Sequence, residues 1–361
     1  MLLQRQWSRW RLFLLPVALL YWGLSWWRNF FYNVNFFISR RVPVPVISIG
    51  NLSMGGTGKT PATLFVAQTL IDLGYRVGIV SRGYGRATSG TVLVSDDEQV
   101  LATFQSGGDE PHLMATRLKG VPVLVDEDRY RGATYLVERF HPDVLILDDG
   151  FQHRGLARDC DIVLLDATAP SSDYNIFPYG LLRERLQALK RANLVVWTKT
   201  QIRVPQKELQ RRIATLGIPQ IQSTMEVIPE LIEVGTGQRL PAGQLAGKRL
   251  LAFCGIAQPR PFYHALFALG LEPELVRYYP DHHHYTPADL VQLSQLIREH
   301  QLVGVTTEKD AVKLPAAFID EHRIYALRIE FNITGEDRKI FQETLLRCLP
   351  IPQASPTVGE A

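Results

Sequence analysis

The chain has 361 residues, 46% hydrophobic and 21% charged, which is a globular composition with length enough for two cores; its formal charge is +3. The basic excess sits in residues 1–42, which hold six arginines and no acid, leaving 39 − 6 = 33 basic against 36 acidic residues elsewhere. A body so balanced excludes a nucleic-acid-binding surface, and three scattered cysteines (Cys160, Cys254 and Cys348) exclude a cysteine metal site and suit a reducing compartment.

Five of the six tryptophans lie in the same N-terminal arm, and residues 12–27 form an uncharged, mostly apolar run between Arg11 and Arg28. As a helix this run reaches about 24 Å, short of a ~30 Å hydrocarbon core. Pro16 and Gly23 weaken a straight span. Tryptophan and arginine at both ends predict a helix lying in or on a membrane. A buried core helix is the alternative. A secretory signal fits poorly, since no small-residue cleavage site follows.

Residues 44–60 come next. A β-branched run enters Gly50-Asn51-Leu52-Ser53-Met54-Gly55-Gly56-Thr57-Gly58-Lys59-Thr60, and a helical pattern over 61–70 follows. Strand, glycine turn, Gly-Lys-Thr and helix is the context of a phosphate-binding loop. Its backbone amides and helix N-terminus would cradle phosphates, Lys59 would reach the β- and γ-phosphates, and Thr60 would ligate Mg²⁺. Ser53 to Thr60 are therefore the predicted nucleotide contacts. The usual first glycine is replaced by Ser53, and Met54 stands where one subgroup of such loops carries an extra lysine.

Strands follow at 76–80, 91–94, 121–125, 143–148, 161–166 and 193–197, with helices at 112–118 and 129–140 between them. Continuous apolar strands alternating with helices predict a parallel doubly wound sheet with ligands at the strand carboxyl ends. Asp148 and Asp149 close one buried strand, where a Mg²⁺-binding acidic pair belongs in this class. The pattern loosens over 201–248. A second α/β run then gives strands at 226–234, 249–254, 303–307 and 323–331, helices at 261–269, 287–300 and 337–349, and a disordered tail from 350. Three consecutive histidines, His282 to His284, cannot all face one metal from a regular strand, and no other ligand has zinc spacing. Solvated histidines or one catalytic histidine remain.

Several motifs occur together and in order: Gly-Gly-Thr-Gly-Lys-Thr-Pro (55–61), Ser-Arg-Gly-Tyr-Gly (81–85), Gly-Asp-Glu-Pro (108–111), Asp-Asp-Gly-Phe-Gln-His (148–153), Leu-Arg-Glu (182–184), Gly-Ile-Ala-x-Pro (255–259), Pro-Asp-His (280–282) and Thr-Glu-Lys-Asp (307–310). Over residues 5–345 the set resembles the tetraacyldisaccharide 4′-kinase family, the lipid A 4′-kinases. The resemblance implies phosphoryl transfer from ATP to the 4′-hydroxyl of a lipid A disaccharide precursor, on the cytoplasmic face of the bacterial inner membrane. It implies Asp109 as base with His282 as its partner, although His283 and His284 keep that choice open. It also places Arg82, Tyr84, Glu110, Arg129, Gln152, His153, Arg183 and Glu184 around substrate or nucleotide.

The expected architecture is α/β. A membrane-associated arm (1–42), peripheral or monotopic, precedes a P-loop kinase core of the doubly wound NTPase type (43–225). A smaller α/β domain with two linking strands (226–331) and a C-terminal helix with its tail (332–361) complete it. Two rivals differ in class. One is a membrane-associated NTPase switch without a lipid acceptor, against which the missing loop lysine counts; the other is a nucleotide-binding module without turnover.

Overall fold

The computed structural model describes residues 2–350, with side chains from residue 13 onward; the tail expected to be disordered lies almost wholly outside the described residues. In chain order the first part runs α1 (Leu2–Asn33), β1 (Val46–Asn51), α2 (Lys59–Asp72), β2 (Val77–Ser81), β3 (Val92–Ser95), α3 (Phe104–Gly107), α4 (Asp109–Arg117), β4 (Val123–Val125), α5 (Arg129–Phe140), β5 (Val144–Asp148), β6 (Cys160–Asp166), β7 (Leu194–Thr198), α6 (Lys207–Ala214) and β8 (Gln220–Gln222). The second part runs β9 (Thr224–Glu233), β10 (Arg239–Pro241), β11 (Leu250–Cys254), α7 (Pro259–Ala268), β12 (Pro273–Tyr278), α8 (Pro287–His300), β13 (Val303–Thr307), α9 (Glu308–Ala311), α10 (Ala316–Glu321), β14 (Ile324–Asn332) and α11 (Gly335–Arg347).

The first part builds an eight-stranded sheet ordered β3-β4-β2-β5-β1-β6-β7-β8. Only the edge pair β3–β4 is antiparallel. Every residue of β1, β5 and β6 is buried, as strands covered by helices on both faces must be. The order reverses direction between β1 and its neighbours β5 and β6, so β1 and β5 deliver the glycine loop and Asp148 to one crevice at their carboxyl ends. Gly50 permits this convergence, because a Cβ there would sit 2.6 Å from the Cβ of Phe151.

The second part forms a six-stranded sheet, β10-β9-β14-β13-β11-β12, parallel from β12 to β14 and antiparallel at β14–β9–β10. The long β9–β14 ribbon leads back to the first sheet. The Phe331 ring packs at a tilt, 5.3 Å from that of Phe65 of α2, and α11 then buries Phe341 and Leu345 in the same core as β1 and β2. The C-terminal helix is thus part of the first sheet's core.

The arm departs from expectation. Helix α1 continues through Pro16 and Gly23 for 32 residues, twice the apolar run. It is not a buried core helix: Ala18 is covered, while Phe13, Leu20, Leu24 and Trp27 are exposed. One face meets the body through Tyr21 edge-on to Phe177, Trp22 beneath the Arg185 guanidinium, and Asn29 and Arg28 on Glu184. Among the described residues no helix is long and apolar enough to cross a membrane.

Candidate active site

The loop between β1 and α2 is held from three sides. Asn51 Nδ2 donates to Thr57 Oγ1 (2.9 Å), the Met54 amide donates to Leu181 O (2.8 Å), and Thr198 Oγ1 donates to Thr57 O (3.0 Å). Lys199 Nζ clamps Gly56 O at 2.9 Å and Asp166 at 2.6 Å. Gly58 starts α2 at φ 86°, a left-handed position, with Met225 packed where a Cβ would be. The first amides of α2, those of Lys59 and Thr60 among them, lack partners inside the helix, as at any helix start, and such a terminus suits an anion.

Asp148 and Asp149 end up in opposite electrostatic settings. Asp148 is buried, accepts from Ser81 Oγ (2.9 Å) and Thr63 Oγ1 (3.2 Å), and is pushed up to about 7, first by burial and then by Glu110 and Asp149. Burial also raises Asp149, but Lys59 and Arg183 outweigh it and hold its carboxyl below the ordinary value. Lys59 Nζ lies 3.6 Å and Arg183 Nη1 3.1 Å from that carboxylate. Asp149 itself sits at φ 49°, the left-handed turn that points it at the loop.

Across the crevice α4 begins with Asp109 and Glu110. Asp109 is buried, and its Oδ2 lies 2.9 Å from His282 Nδ1, contributed by the loop after β12. His283 instead meets Asp289 at 3.0 Å and stacks on Tyr279, and His284 stacks on Phe104. Of the three histidines, His282 faces Asp109. The Asp109 hydrogen bond raises the His282 pKa against burial and Lys309; in return His282 and Lys309 outweigh burial and lower that of Asp109.

The acidic pair, Asp109 and Arg183 share one cleft of about 700 Å³, lined by Met54, Ser81, Arg82, Tyr84, Asp109, Glu110, Asp148, Asp149, Gln152 and Arg183, and also by Tyr21, Leu24, Ser25 and Arg28 of α1. Helix α1 therefore forms one wall of a polar, acid-bearing crevice.

That combination of loop, paired aspartates and Asp–His contact corresponds to a known family. The model of the tetraacyldisaccharide-1-P 4′-kinases, LpxK, matches residues 10–349. The chain belongs to that family. It is 38% identical over 333 residues to a tetraacyldisaccharide 4′-kinase of Syntrophus aciditrophicus, covering 89% of this chain and 88% of that protein. It is 39% identical over 327 residues to the one of Anaeromyxobacter sp. strain K, covering 88% and 85%. The crystal structure of "apo" form LpxK from Aquifex aeolicus in complex with ATP superimposes with a TM-score of 0.79 at 33% identity, covering 94% of this chain and 99% of that one. The chain is accordingly a tetraacyldisaccharide 4′-kinase with an α/β fold.

Three side chains anticipated at the kinase's substrate lie outside the cleft lining. Glu184 is buried; its Oε2 accepts from Asn29 (2.7 Å) and Arg191 (3.0 Å), and Arg28 lies 3.5 Å from Oε1, so it anchors α1. Arg129 is buried behind Arg82, donates to Glu127 O, and has its pKa lowered by burial and then by Arg82. His153 is pushed down to about 4 by burial and then Arg129, which keeps it neutral. Conversely, Lys199, Asp166 and Thr198 clamp the loop from the ends of β6 and β7 with no motif to signal them. Lys309 stands within the Thr-Glu-Lys-Asp motif and reaches Glu110 at 3.0 Å.

Proposed function

We propose that the kinase moves the γ-phosphoryl of ATP to the 4′-hydroxyl of a tetraacyl disaccharide 1-phosphate while seated on the cytoplasmic face of the inner membrane through residues 1–42. The supporting observation is the shared cleft, where Met54 of the glycine loop, the acidic pair, Asp109 and helix α1 converge, with His282 against Asp109. ATP is the nucleotide named for the Aquifex aeolicus relative.

Mg²⁺ fits the donors present. The crowding of Asp148 by Asp149 and Glu110 is the kind a divalent cation relieves, and the donors are all oxygen. Among the described residues no three His, Cys, Asp or Glu side chains form a self-sufficient cage. Mg²⁺ needs none, since it keeps waters and takes phosphate oxygens. Thr60, Asp148 and Asp149 would hold it, and when bound it would supply charge neutralisation at the phosphates.

The chain's own residues do the rest. Lys59 and the α2 amides bind phosphate oxygens as charge develops on them. Arg183, fixed by Asp149 and within 3.3 Å of Gln152, offers a second cation at the same crevice. Asp109 orients the sugar hydroxyl and receives its proton as the oxygen bonds to phosphorus and ADP departs in line. His282 holds the Asp109 carboxylate in place through Nδ1–H. The exposed apolar face of α1, next to the cleft, suits acyl chains beside a polar sugar.

The test is Asp109→Asn. ATP binding should persist within threefold, because Asp109 lies on the acceptor side, while kcat should fall by about 10²-fold or more. Transfer at an undiminished rate would sink the base assignment.

A further inference from the structure

Helix α9 places Lys309 where three functional groups meet. Thr307 caps the helix, accepting from the Asp310 amide, and Asp310 in turn accepts from the Gly255 amide at 3.0 Å. Glu308 takes two hydrogen bonds from Arg117 of α4, at 2.7 and 2.9 Å. With both flanks pinned, the Lys309 ammonium reaches Glu110 Oε1 at 3.0 Å, His282 Nε2 at 3.3 Å and Asp109 Oδ2 at 3.8 Å.

Among the described residues, four side chains face the His282 ring. Asp109 of α4 meets Nδ1, Lys309 of α9 meets Nε2, Asp281 of its own loop lies 3.9 Å from Nε2, and the Tyr84 ring packs edge-on from the loop after β2. An ammonium has hydrogens to donate and no lone pair to accept with. Its partner nitrogen must therefore be unprotonated, which leaves the imidazole proton on Nδ1, aimed at Asp109. An imidazolium would set an N–H against the ammonium.

We infer that Lys309 is a positioning residue for the phosphoryl transfer, holding His282 in its neutral, Nδ1-protonated form against Asp109. This rests on the reading of Asp109 as base. Neutral His282 leaves Asp109 a stronger base than imidazolium would, because no full positive charge then stabilises the carboxylate. Glu110, next to Asp109 on α4, holds the ammonium in place. The Thr-Glu-Lys-Asp motif thereby acquires a role in the reaction through a residue that need not touch substrate.

The experiment compares kcat against pH for wild type, Lys309→Met, Lys309→Arg and Asp109→Asn in the full chain, with ATP and a tetraacyl disaccharide 1-phosphate. In Lys309→Met the His282 imidazole loses its opposing cation, so the rising limb should move up by about one pH unit. That costs about tenfold in kcat on the acid side of the limb and little on the alkaline side, with KM for ATP unchanged. Lys309→Arg should return the limb to its wild-type position. An unshifted limb, an equal loss at every pH, or an arginine variant as impaired as the methionine one would overturn the inference alone. Undiminished kcat in Asp109→Asn would overturn the base reading and this inference with it. A measurement on the wild-type chain stands whether or not the variants fold. Histidine ¹⁵N shifts at about pH 8, assigned with His282→Gln, should show a protonated Nδ1 and a bare Nε2. The opposite tautomer would overturn the proposal.

Discussion

His282 carries two opposed influences at the scale of a single residue. The Asp109 hydrogen bond raises its pKa above the usual 6.5, while burial and Lys309 pull it down. Because the folded value exceeds the unfolded one, the pair's stabilisation is complete below about pH 6.5 and is lost as pH rises through the folded value. Asp109 is lowered, so its contribution is present above its ordinary value of about 3.8 and is lost as pH falls through the folded one. With Asp109 as the proposed base, catalysis is expected to have the opposite slope on the alkaline side, since deprotonating His282 would strengthen Asp109 as a base. The expected wild-type kcat profile therefore has a rising limb with its midpoint above about 6.5. His282→Gln keeps a donor toward Asp109 but cannot titrate. Its profile should lose that limb and run lower, and a limb that survives at the same midpoint would remove His282 from the account.

Helix α1 shows how an element can serve the site and the surface together. Tyr21, Leu24, Ser25 and Arg28 line the cleft, while Phe13, Leu20 and Trp27 are among the apolar side chains left exposed. Glu184, which looked like a substrate contact in sequence, is the anchor that docks this helix. Its carboxylate is only 2% exposed, so it needs Arg28, Asn29 and Arg191 to offset desolvation. Deleting residues 1–28 removes both the apolar face and one wall of the cleft. Sedimentation with anionic vesicles should fall sharply, KM for the lipid acceptor should rise by about tenfold or more, and ATP affinity should stay within threefold. The loop is independent of the arm because β1, Lys199 and Thr198 hold it. A truncated chain that co-sediments as well as the full one would show that the arm is not the anchor.

Across the whole molecule, what was legible was what local chemistry dictates. The β1 loop, the buried strands and the Asp148–Asp149 terminus could be read because continuous apolar runs and glycine turns have no other stable use. Strands β8, β10 and β12 could not: Gln-Ile-Gln, Arg-Leu-Pro and a half-exposed Pro-Glu-Leu-Val-Arg-Tyr lie at sheet edges, where little need be apolar. Helix α6 is only eight residues long and buries a single i,i+4 pair, Leu209 and Ile213, a pattern too short to stand out within the loosened stretch. The length of α1 was hidden by Pro16, which removes one backbone donor without ending a helix whose neighbours continue it. Least visible were partners brought together by topology, such as Lys199 on Gly56 and Lys309 on His282, since no spacing in the chain encodes a contact between separate elements.

These scales meet in one reaction. Full-length protein given ATP labelled at the γ-phosphate, Mg²⁺ and a tetraacyl disaccharide 1-phosphate in mixed micelles should yield a labelled lipid with the new phosphate on the 4′-hydroxyl, and only trace labelled inorganic phosphate. Label appearing as inorganic phosphate at the same rate with or without the lipid, and none on the disaccharide, would contradict the account.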